Sequence, residues 1–235
     1  MLHYVLHSIE FIRKFHEMKE AEDIINEMIG RYPGLESCKQ DISEACRVII
    51  DCYAHQGKLL LCGNGGSCSD ADHVVGELMK SFEKKRPIED DLHRRLRSVS
   101  ADRGAFIAER LQGALPAISL NAHASLYSAI SNDMDASLVF AQQIAGYGKK
   151  NDVLIAMSTS GNSRNIIDAV ITASAMGMTV IGLTGESGGK MGPYCDVMIR
   201  VPAERTAMVQ EFHKPIYHAI CRIVENRFFP QASGG

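Results

Sequence analysis

From Lys58 onward, short apolar runs alternate with glycine-rich turns and helix-like stretches, and this alternation constrains the fold more than any other feature. Five runs have the length and composition of buried strands, at 58–63, 115–120, 152–158, 179–185 and 195–201. Helical patterns separate them, at 69–82, 136–147, 162–176 and 206–228. Strands that alternate with helices are joined by right-handed crossovers. The sequence therefore predicts an α/β fold with a mostly parallel central sheet, flanked by helices on both faces.

The residues before this region carry only helical patterns. Apolar positions at three- and four-residue spacing predict two helices within 1–56, and the segment RYPGLES (31–37) predicts the break between them. Helices without a sheet must pack on another layer. We therefore expect 1–56 to be an N-terminal helical segment that packs on the core or in an oligomer interface, and 57–235 to be the main domain.

Residues 83–114 interrupt the alternation of strands and helices. They mix dense charge of both signs with one helical pattern near 101–112. The simplest interpretation is a solvated, charged insertion. A lid or a subunit-contact element is the alternative, because a long connection inside a compact α/β domain often has a function.

Composition excludes several classes of protein. With 25 Lys and Arg against 28 Asp and Glu, the formal charge of −3 provides no global basic field for nucleic acid or a membrane surface. No stretch approaches the roughly 18 unbroken apolar residues of a membrane-spanning helix, and the N-terminus lacks the apolar region of a secretory signal. The 7 cysteines are odd in number, scattered and never spaced as CxxC. We therefore expect reduced thiols and a cytoplasmic protein.

Two of the predicted strand–turn–helix junctions carry residues suited to binding an anion. The first is GNGGS (63–67), where glycines permit close backbone approach to a ligand. The second is STSGNS (158–163), which places four hydroxyl groups at the start of a helix. Taken singly, each junction is explained by ordinary turn and cap chemistry. Both nevertheless leave the carboxyl ends of strands, where open α/β sheets bind ligands, and this favours a phosphate site. Neither matches GxxxxGK[ST] or GxGxxG, so nucleotide hydrolysis and dinucleotide binding are not supported.

Residues for chemistry stand on two predicted helices. His73 and Glu77 are four apart, so their Cβ atoms share a helix face at about 5–6 Å. They can bind one metal ion together, or act as a base beside a proton carrier, although a surface ion pair is the simpler interpretation. The last helix offers four further polar side chains: Gln210, Glu211, His213 and His218. Their spacing does not decide between Gln210 with His218 and Glu211 with His213.

Several of these motifs occur together in one known order. The chain resembles the phosphoheptose isomerases of the sugar isomerase (SIS) domain family in four motifs: GNGGS with Asp70, His73 and Glu77, STSGNS, GLTGESGGKM (182–191) and QEFHKPIYH (210–218). The likeness covers about 40–229 apart from 83–114. It implies an SIS-type three-layer sandwich that converts sedoheptulose 7-phosphate to D-glycero-D-manno-heptose 7-phosphate in ADP-heptose and lipopolysaccharide synthesis. It also implies a homotetramer, with sites near subunit interfaces and with one bound zinc ion in many members.

The resemblance also assigns roles to individual residues. It implies that Glu77 is the catalytic base and that His218 is the partner acid or base in an enediol mechanism. The implied zinc ligands are His73, Glu77, Gln210 and His218. The implied substrate contacts are Asn64, Gly65, Gly66, Asn132, Asp133, Ser158, Thr159, Ser160, Ser163 and Gln210. Without the resemblance, Asn132 and Asp133 would be interpreted as turn or cap residues.

The sequence departs from the family pattern at two further positions. Ser81 stands where many members have arginine, which leaves Lys80 as a point-charge substitute. Pro215 lies between Gln210 and His218, where it removes a helical hydrogen bond and favours a kink. The alternative function is that of a non-catalytic SIS protein, which binds a replication initiator or senses sugar phosphates. The ending VENRFFP (224–230) resembles the replication-initiator-binding relatives, but those lack the Glu77 and His218 pair.

Overall fold

The fold is seen in a computed structural model that describes residues 18–230. Five strands form one sheet with the spatial order β2-β1-β3-β4-β5. The strands are β1 (Leu59–Gly63), β2 (Ala117–Ser119), β3 (Val153–Met157), β4 (Thr179–Thr184) and β5 (Val197–Arg200). Every neighbouring pair is parallel. The predicted parallel sheet and its five strand positions are confirmed.

Helices surround the sheet. They are α1 (18–31), α2 (Lys39–Ala54), α3 (Gly66–Met79), α4 (Asp90–Val99), α5 (Ala101–Ala108), α6 (Ala124–Asp133), α7 (Val139–Tyr147), α8 (Arg164–Ala175) and α9 (Thr206–Phe228). A 3-10 helix, Pro33–Cys38, lies at the predicted break between the first two. The structure confirms the helical patterns, but α3 begins at Gly66, three residues before the predicted start at 69. Helices α4 and α6 were not predicted.

The sheet separates two hydrophobic clusters, as expected of a three-layer sandwich. Leu59 and Leu61 of β1 face a cluster that also contains side chains of α1, α2, α3 and α9. Leu60 and Cys62 face the other cluster, with side chains of α6, α7 and α8. Because successive strand residues point to opposite faces, a fully buried strand such as β1 must be apolar at every position.

The insertion at 83–114 folds into more structure than its sequence pattern predicts. One helix near 101–112 was expected, whereas the structure has the pair α4 and α5, which pack against each other. An isolated antiparallel bridge between Pro87 and Gln112 closes the base of the insertion. Helix α4 has no buried residue, and Asp91 forms ion pairs with Arg94 and Arg95. Leu92, Leu96 and Val99 have helical spacing, but they stand among dense charges and none of them is buried. The helical pattern of this segment is therefore weak in the sequence. A lid or subunit-contact role for the insertion stays a prediction.

The N-terminal segment and α9 pack together. Helix α2 contacts both α9 and β5. The predicted apolar positions before residue 18 lie outside the described residues, and the division of the chain at residue 56 stays a prediction. Helix α9 continues through Pro215 without a break, although proline has no N–H to donate to the Glu211 carbonyl. Within residues 18–230, none of the helices is both long enough and apolar enough to cross a membrane.

A buried ion pair ties the end of α3 to α9. The side chains of Arg86 and Glu225 are both 0% exposed, with Arg86 Nε 2.6 Å from Glu225 Oε1. Arg86 also donates to the backbone carbonyls of Leu78 and Glu77, at 2.7 and 2.9 Å. Burial alone would raise the pKa of the Glu225 carboxyl, but backbone N–H groups at 82–83 and the Arg86 guanidinium lower it overall. The pair therefore satisfies the last carbonyls of α3 while it holds α9 in place.

Replacing Arg86 with leucine will destabilise the fold strongly. Arg86→Leu leaves a buried carboxylate unpaired, which typically costs about 3–5 kcal/mol of unfolding free energy. Chemical denaturation followed by circular dichroism measures the loss. The matched control is Arg47→Leu, because Arg47 forms only an exposed pair with Glu44, which contributes little. A loss for Arg86→Leu no larger than that of the control would contradict this assignment.

Candidate active site

Helices α3 and α9 bring three of the predicted site residues together. His73 and Glu77 lie one turn apart on α3, with His73 Nε2 3.2 Å from Glu77 Oε1. His218 on α9 places its Nε2 3.4 Å from the same His73 nitrogen. The Glu77 carboxylate and the His218 imidazole therefore meet at His73 Nε2, although α3 and α9 are more than 100 residues apart in sequence.

The surroundings of this cluster set its protonation. Partial burial is the main cause that lowers the pKa of His218, and electrostatic interactions with His73 and Lys214 lower it further, whereas Glu77 opposes the shift. His218 is therefore a neutral imidazole at pH 7. Lys80 Nζ lies 3.5 Å from Glu77 Oε2, the carboxylate oxygen that His73 does not contact. Lys80 thus acts on Glu77 as a point charge.

The structure also places a tyrosine and an aspartate behind His73. Tyr217 donates a hydrogen bond from its hydroxyl to Asp70 Oδ1 at 3.1 Å, and the same hydroxyl oxygen lies 3.3 Å from His73 Nδ1. Burial raises the pKa of the Asp70 carboxyl, opposed by the Tyr217 hydrogen bond and by the charges of Lys214 and His73. Sequence reasoning assigned Tyr217 no role, since a tyrosine at a helical spacing is indistinguishable from a core residue.

Gln210 lies against the turn that precedes α3. A Cβ atom on Gly66 would come within 2.4 Å of Gln210 Nε2, so only glycine permits this approach. Gly65, next to it, has φ of 56°, a left-handed conformation that also favours glycine. Asn64 and Asn165 exchange two side-chain hydrogen bonds of 2.9 Å, which link this turn to the start of α8.

The second predicted loop, 158–163, lies between β3 and α8. Ser158 is buried, and its Oγ is 3.4 Å from Ser163 Oγ. Gly161 has a φ of 64° and packs directly on the backbone of Gly188 and Gly189. Ser163 occupies the N-cap position of α8, yet its side chain forms no capping hydrogen bond. The amides of Ile166 and Ile167 donate to the Ser163 carbonyl. Within the described residues, the amides of Arg164 and Asn165 have no such acceptor, so they can bind an anion beside the hydroxyls of Thr159 and Ser160.

The structure does not join the other predicted residues to these groups by hydrogen bonds within residues 18–230. Asn132 and Asp133 end α6, where both are exposed and hydrogen bond to each other at 2.8 Å. Among the described residues they form no hydrogen bond with either loop or with His73. His213 is fully buried and Glu211 is exposed, and the His73 cluster includes His218 instead. The contacts on α9 thus favour His218 over the Glu211 and His213 alternative.

The side chains around His73 Nε2 are of the types that bind zinc. Zinc binds imidazole nitrogen and carboxylate oxygen at about 2.0–2.2 Å, so neighbouring ligand atoms in a tetrahedral site lie about 3.3–3.5 Å apart. The 3.2 Å and 3.4 Å separations at His73 Nε2 match that spacing. Over the described part of the chain, however, no three His, Cys, Asp or Glu side chains are already arranged to hold a metal ion. The donor types and two ligand separations fit zinc, and the complete set is not preformed.

Comparison with known protein families gives a consistent match. The family model described as SIS domain matches two overlapping segments, residues 33–114 and 100–185. A phosphoheptose isomerase of Coxiella burnetii is 36% identical over 201 residues, covering 84% of this chain and 88% of the relative. A phosphoheptose isomerase of Methylibium petroleiphilum is 39% identical over 193 residues, covering 81% and 84%.

Solved structures agree with the sequence relatives. A phosphoheptose isomerase from Neisseria gonorrhoeae superposes with a TM-score of 0.65 at 30% identity, covering 96% of this chain and 100% of that one. A phosphoheptose isomerase from Francisella tularensis gives a TM-score of 0.69 at 30% identity, covering 93% and 98%. The parallel sheet, the hydroxyl loop and the SIS match define a sugar isomerase domain. Within that class, the chain belongs to the phosphoheptose isomerases. The predicted fold and the predicted aldose–ketose isomerase class are confirmed.

A methyl group on Gly66 will displace Gln210. Gly66→Ala places a Cβ where Gln210 Nε2 now lies, and an ångström-scale displacement of a site residue reduces turnover by about 100-fold. Steady-state kinetics of isomerisation measures the effect. Gly76→Ala is the matched control, because Gly76 lies in the same helix and has open space where its new methyl group would point. Equal kinetics for the two variants would show that Gln210 tolerates displacement.

Buried His213 will make the fold sensitive to acid. Desolvation lowers its pKa to about 4, below the value of about 6.5 in an unfolded chain. The unfolded state therefore binds the extra proton first, so stability decreases as the pH falls from about 6.5 towards 4, by about 3 kcal/mol from this group. Denaturation midpoints measured across that range test the slope. His213→Phe should flatten the slope, and an unchanged slope in that variant would assign it to other groups.

Proposed function

We propose that this protein converts sedoheptulose 7-phosphate to D-glycero-D-manno-heptose 7-phosphate. The observation that carries the proposal is the convergence of Glu77 and His218 on His73 Nε2, at 3.2 and 3.4 Å between the ring nitrogen and its two partners. A carboxylate next to a neutral imidazole is the pair of groups that enediol chemistry requires. The relatives named phosphoheptose isomerase support the choice of substrate.

The two proton carriers have complementary roles. Glu77 removes a proton from C1 of the ketose, next to the C2 carbonyl, and returns it to C2 of the enediol. His218 donates its N–H proton to the C2 oxygen and takes a proton from the C1 hydroxyl, so that the reaction is balanced. The lowered pKa of His218 suits this role, because a neutral imidazole has both a donor and an acceptor nitrogen.

The hydroxyl loop holds the other end of the substrate. We assign the 7-phosphate to the side chains of Ser158, Thr159, Ser160 and Ser163 together with the free amides of α8. A helix N-terminus favours a dianion through its N–H groups and its dipole. Fixing the phosphate positions the sugar carbonyl, which lowers the entropic barrier to proton abstraction. Asn64, Gly65, Gly66, Asn132 and Asp133 complete the proposed substrate contacts.

We further propose that His73, Glu77, Gln210 and His218 hold one zinc ion. When bound, zinc would polarise the sugar oxygens as a Lewis acid. The ligand separations at His73 Nε2 support this proposal. We also propose a cytoplasmic homotetramer that supplies ADP-heptose and lipopolysaccharide synthesis. The proposal of a reducing compartment is supported by the seven cysteines, all of which are free thiols.

Removing either proton carrier will abolish most of the activity. Glu77→Gln and His218→Asn should each reduce kcat by about 100- to 10,000-fold, the usual contribution of a general acid or base. Turnover of sedoheptulose 7-phosphate by the zinc-loaded protein is the measurement. The matched controls are Glu44→Gln and His55→Asn, which alter exposed residues on or next to α2.

The same assay separates the isomerase from its alternatives. An inactive parent protein, with zinc supplied and a tetramer confirmed, would contradict the isomerase proposal. In that case, sugar phosphate binding that survives Glu77→Gln would identify a sensor. Absence of such binding would favour the non-catalytic, partner-binding function.

A further inference from the structure

Tyr217 and Asp70 form a hydrogen-bonded pair at the Nδ1 atom of His73, whereas Glu77 and His218 lie at its Nε2 atom. The Tyr217 hydroxyl lies 3.1 Å from Asp70 Oδ1 and 3.3 Å from His73 Nδ1. Tyr217 is 3% exposed, and its ring packs edge-on against the His73 imidazole. The hydroxyl is therefore held between one carboxylate oxygen and one ring nitrogen.

Counting protons fixes the direction of both hydrogen bonds. A phenol has one proton to donate, and a carboxylate can only accept. Tyr217 therefore donates to Asp70 and must accept at its second contact. The donor in that contact is therefore the N–H of His73 Nδ1. Because a neutral imidazole carries its proton on one nitrogen only, the other nitrogen of His73, Nε2, is left with a lone pair.

That lone pair faces the reactive side of the site. His73 Nε2 lies 3.2 Å from Glu77 Oε1 and 3.4 Å from His218 Nε2. A carboxylate oxygen also presents lone pairs, so the two atoms repel unless a proton or a cation lies between them. His73 in this tautomer is consequently arranged to bind a cation shared with Glu77 and His218.

We propose that Asp70 and Tyr217 are positioning residues that hold His73 in its Nδ1-protonated tautomer, with Nε2 directed at Glu77 and His218. The importance of this tautomer for zinc rests on the proposed function. Partners of this kind commonly orient metal-binding histidines, and their loss weakens metal affinity by 10- to 100-fold. Asp70 determines the direction, since without it the Tyr217 proton would go to His73 Nδ1 and place the imidazole proton on Nε2.

The tautomer is measured directly by nitrogen-15 NMR of the imidazole rings in the full-length, metal-free protein. The His73 signals are assigned by comparison with His73→Asn. In the parent protein we expect a protonated Nδ1 and an unprotonated Nε2. Tyr217→Phe should lose this preference and bind zinc 10- to 100-fold more weakly in a competition titration. Tyr53→Phe is the matched control, because the Tyr53 hydroxyl donates to the Pro116 carbonyl at 3.3 Å, outside the site.

Two substitutions of Asp70 test the direction of the relay. Asp70→Leu should move the His73 proton to Nε2, whereas Asp70→Asn keeps an acceptor oxygen and should preserve the parent tautomer. A Tyr217→Phe protein with the parent tautomer and parent zinc affinity would overturn the proposal. The NMR result does not depend on turnover. A parent protein with the expected tautomer that fails to isomerise sedoheptulose 7-phosphate would therefore overturn the proposed function alone.

Discussion

The parallel pairing of β1 with β3 is the constraint on which the rest of the site depends. These strands are about 90 residues apart in sequence, yet Leu59 is in register with Val153 and Gly63 with Met157. Because parallel neighbours end at the same edge, the glycine turn after β1 and the hydroxyl loop after β3 open side by side. The reciprocal amide pair of Asn64 and Asn165 links the two junctions directly. A phosphate and a reacting carbonyl can thus be held by neighbouring segments of one rigid sheet.

The cluster of His73, Glu77 and His218 depends on a second contact, between α3 and α9. Helix α3 contributes His73 and Glu77, and α9 contributes His218, so a shift of one helix would separate the cluster. The Arg86–Glu225 pair prevents such a shift, since it binds the carbonyls of the last turn of α3 while its carboxylate belongs to α9. At the other end of α3, the side-chain amide of Gln210 lies close to Gly66. Both ends of α3 therefore contact α9 or its side chains.

Burial shapes the electrostatics of this interface. It lowers the pKa of His218, which keeps a neutral proton carrier beside Glu77. Burial also makes an unpaired polar group destabilising. Tyr217 and Arg86 avoid this destabilisation because their buried polar groups form hydrogen bonds with Asp70 and Glu225. His213 shows the other outcome, since neither of its ring nitrogens has a hydrogen-bond partner of normal geometry within residues 18–230. The same helix thus carries one histidine, His218, in contact with His73, and another, His213, that is fully buried.

Local sequence patterns were enough to predict the layered fold, because strand and helix periodicities are local and repeat over many residues. Apolar runs predict all five strands, and the order of the motifs in the sequence indicates the family. Helices α4 and α6 escaped prediction although each has apolar residues at helical spacing, Leu92 with Leu96 and Leu126 with Ile130. Both helices are short, and Ile130 is the one buried residue between them, so their helical patterns are weak. Only the packing of the helices shows that His218, and not His213, contacts His73, because this contact links residues more than 100 positions apart. The Arg86–Glu225 pair and the Tyr217–Asp70 link have the same origin: their geometry depends on how whole helices pack, which no local pattern encodes.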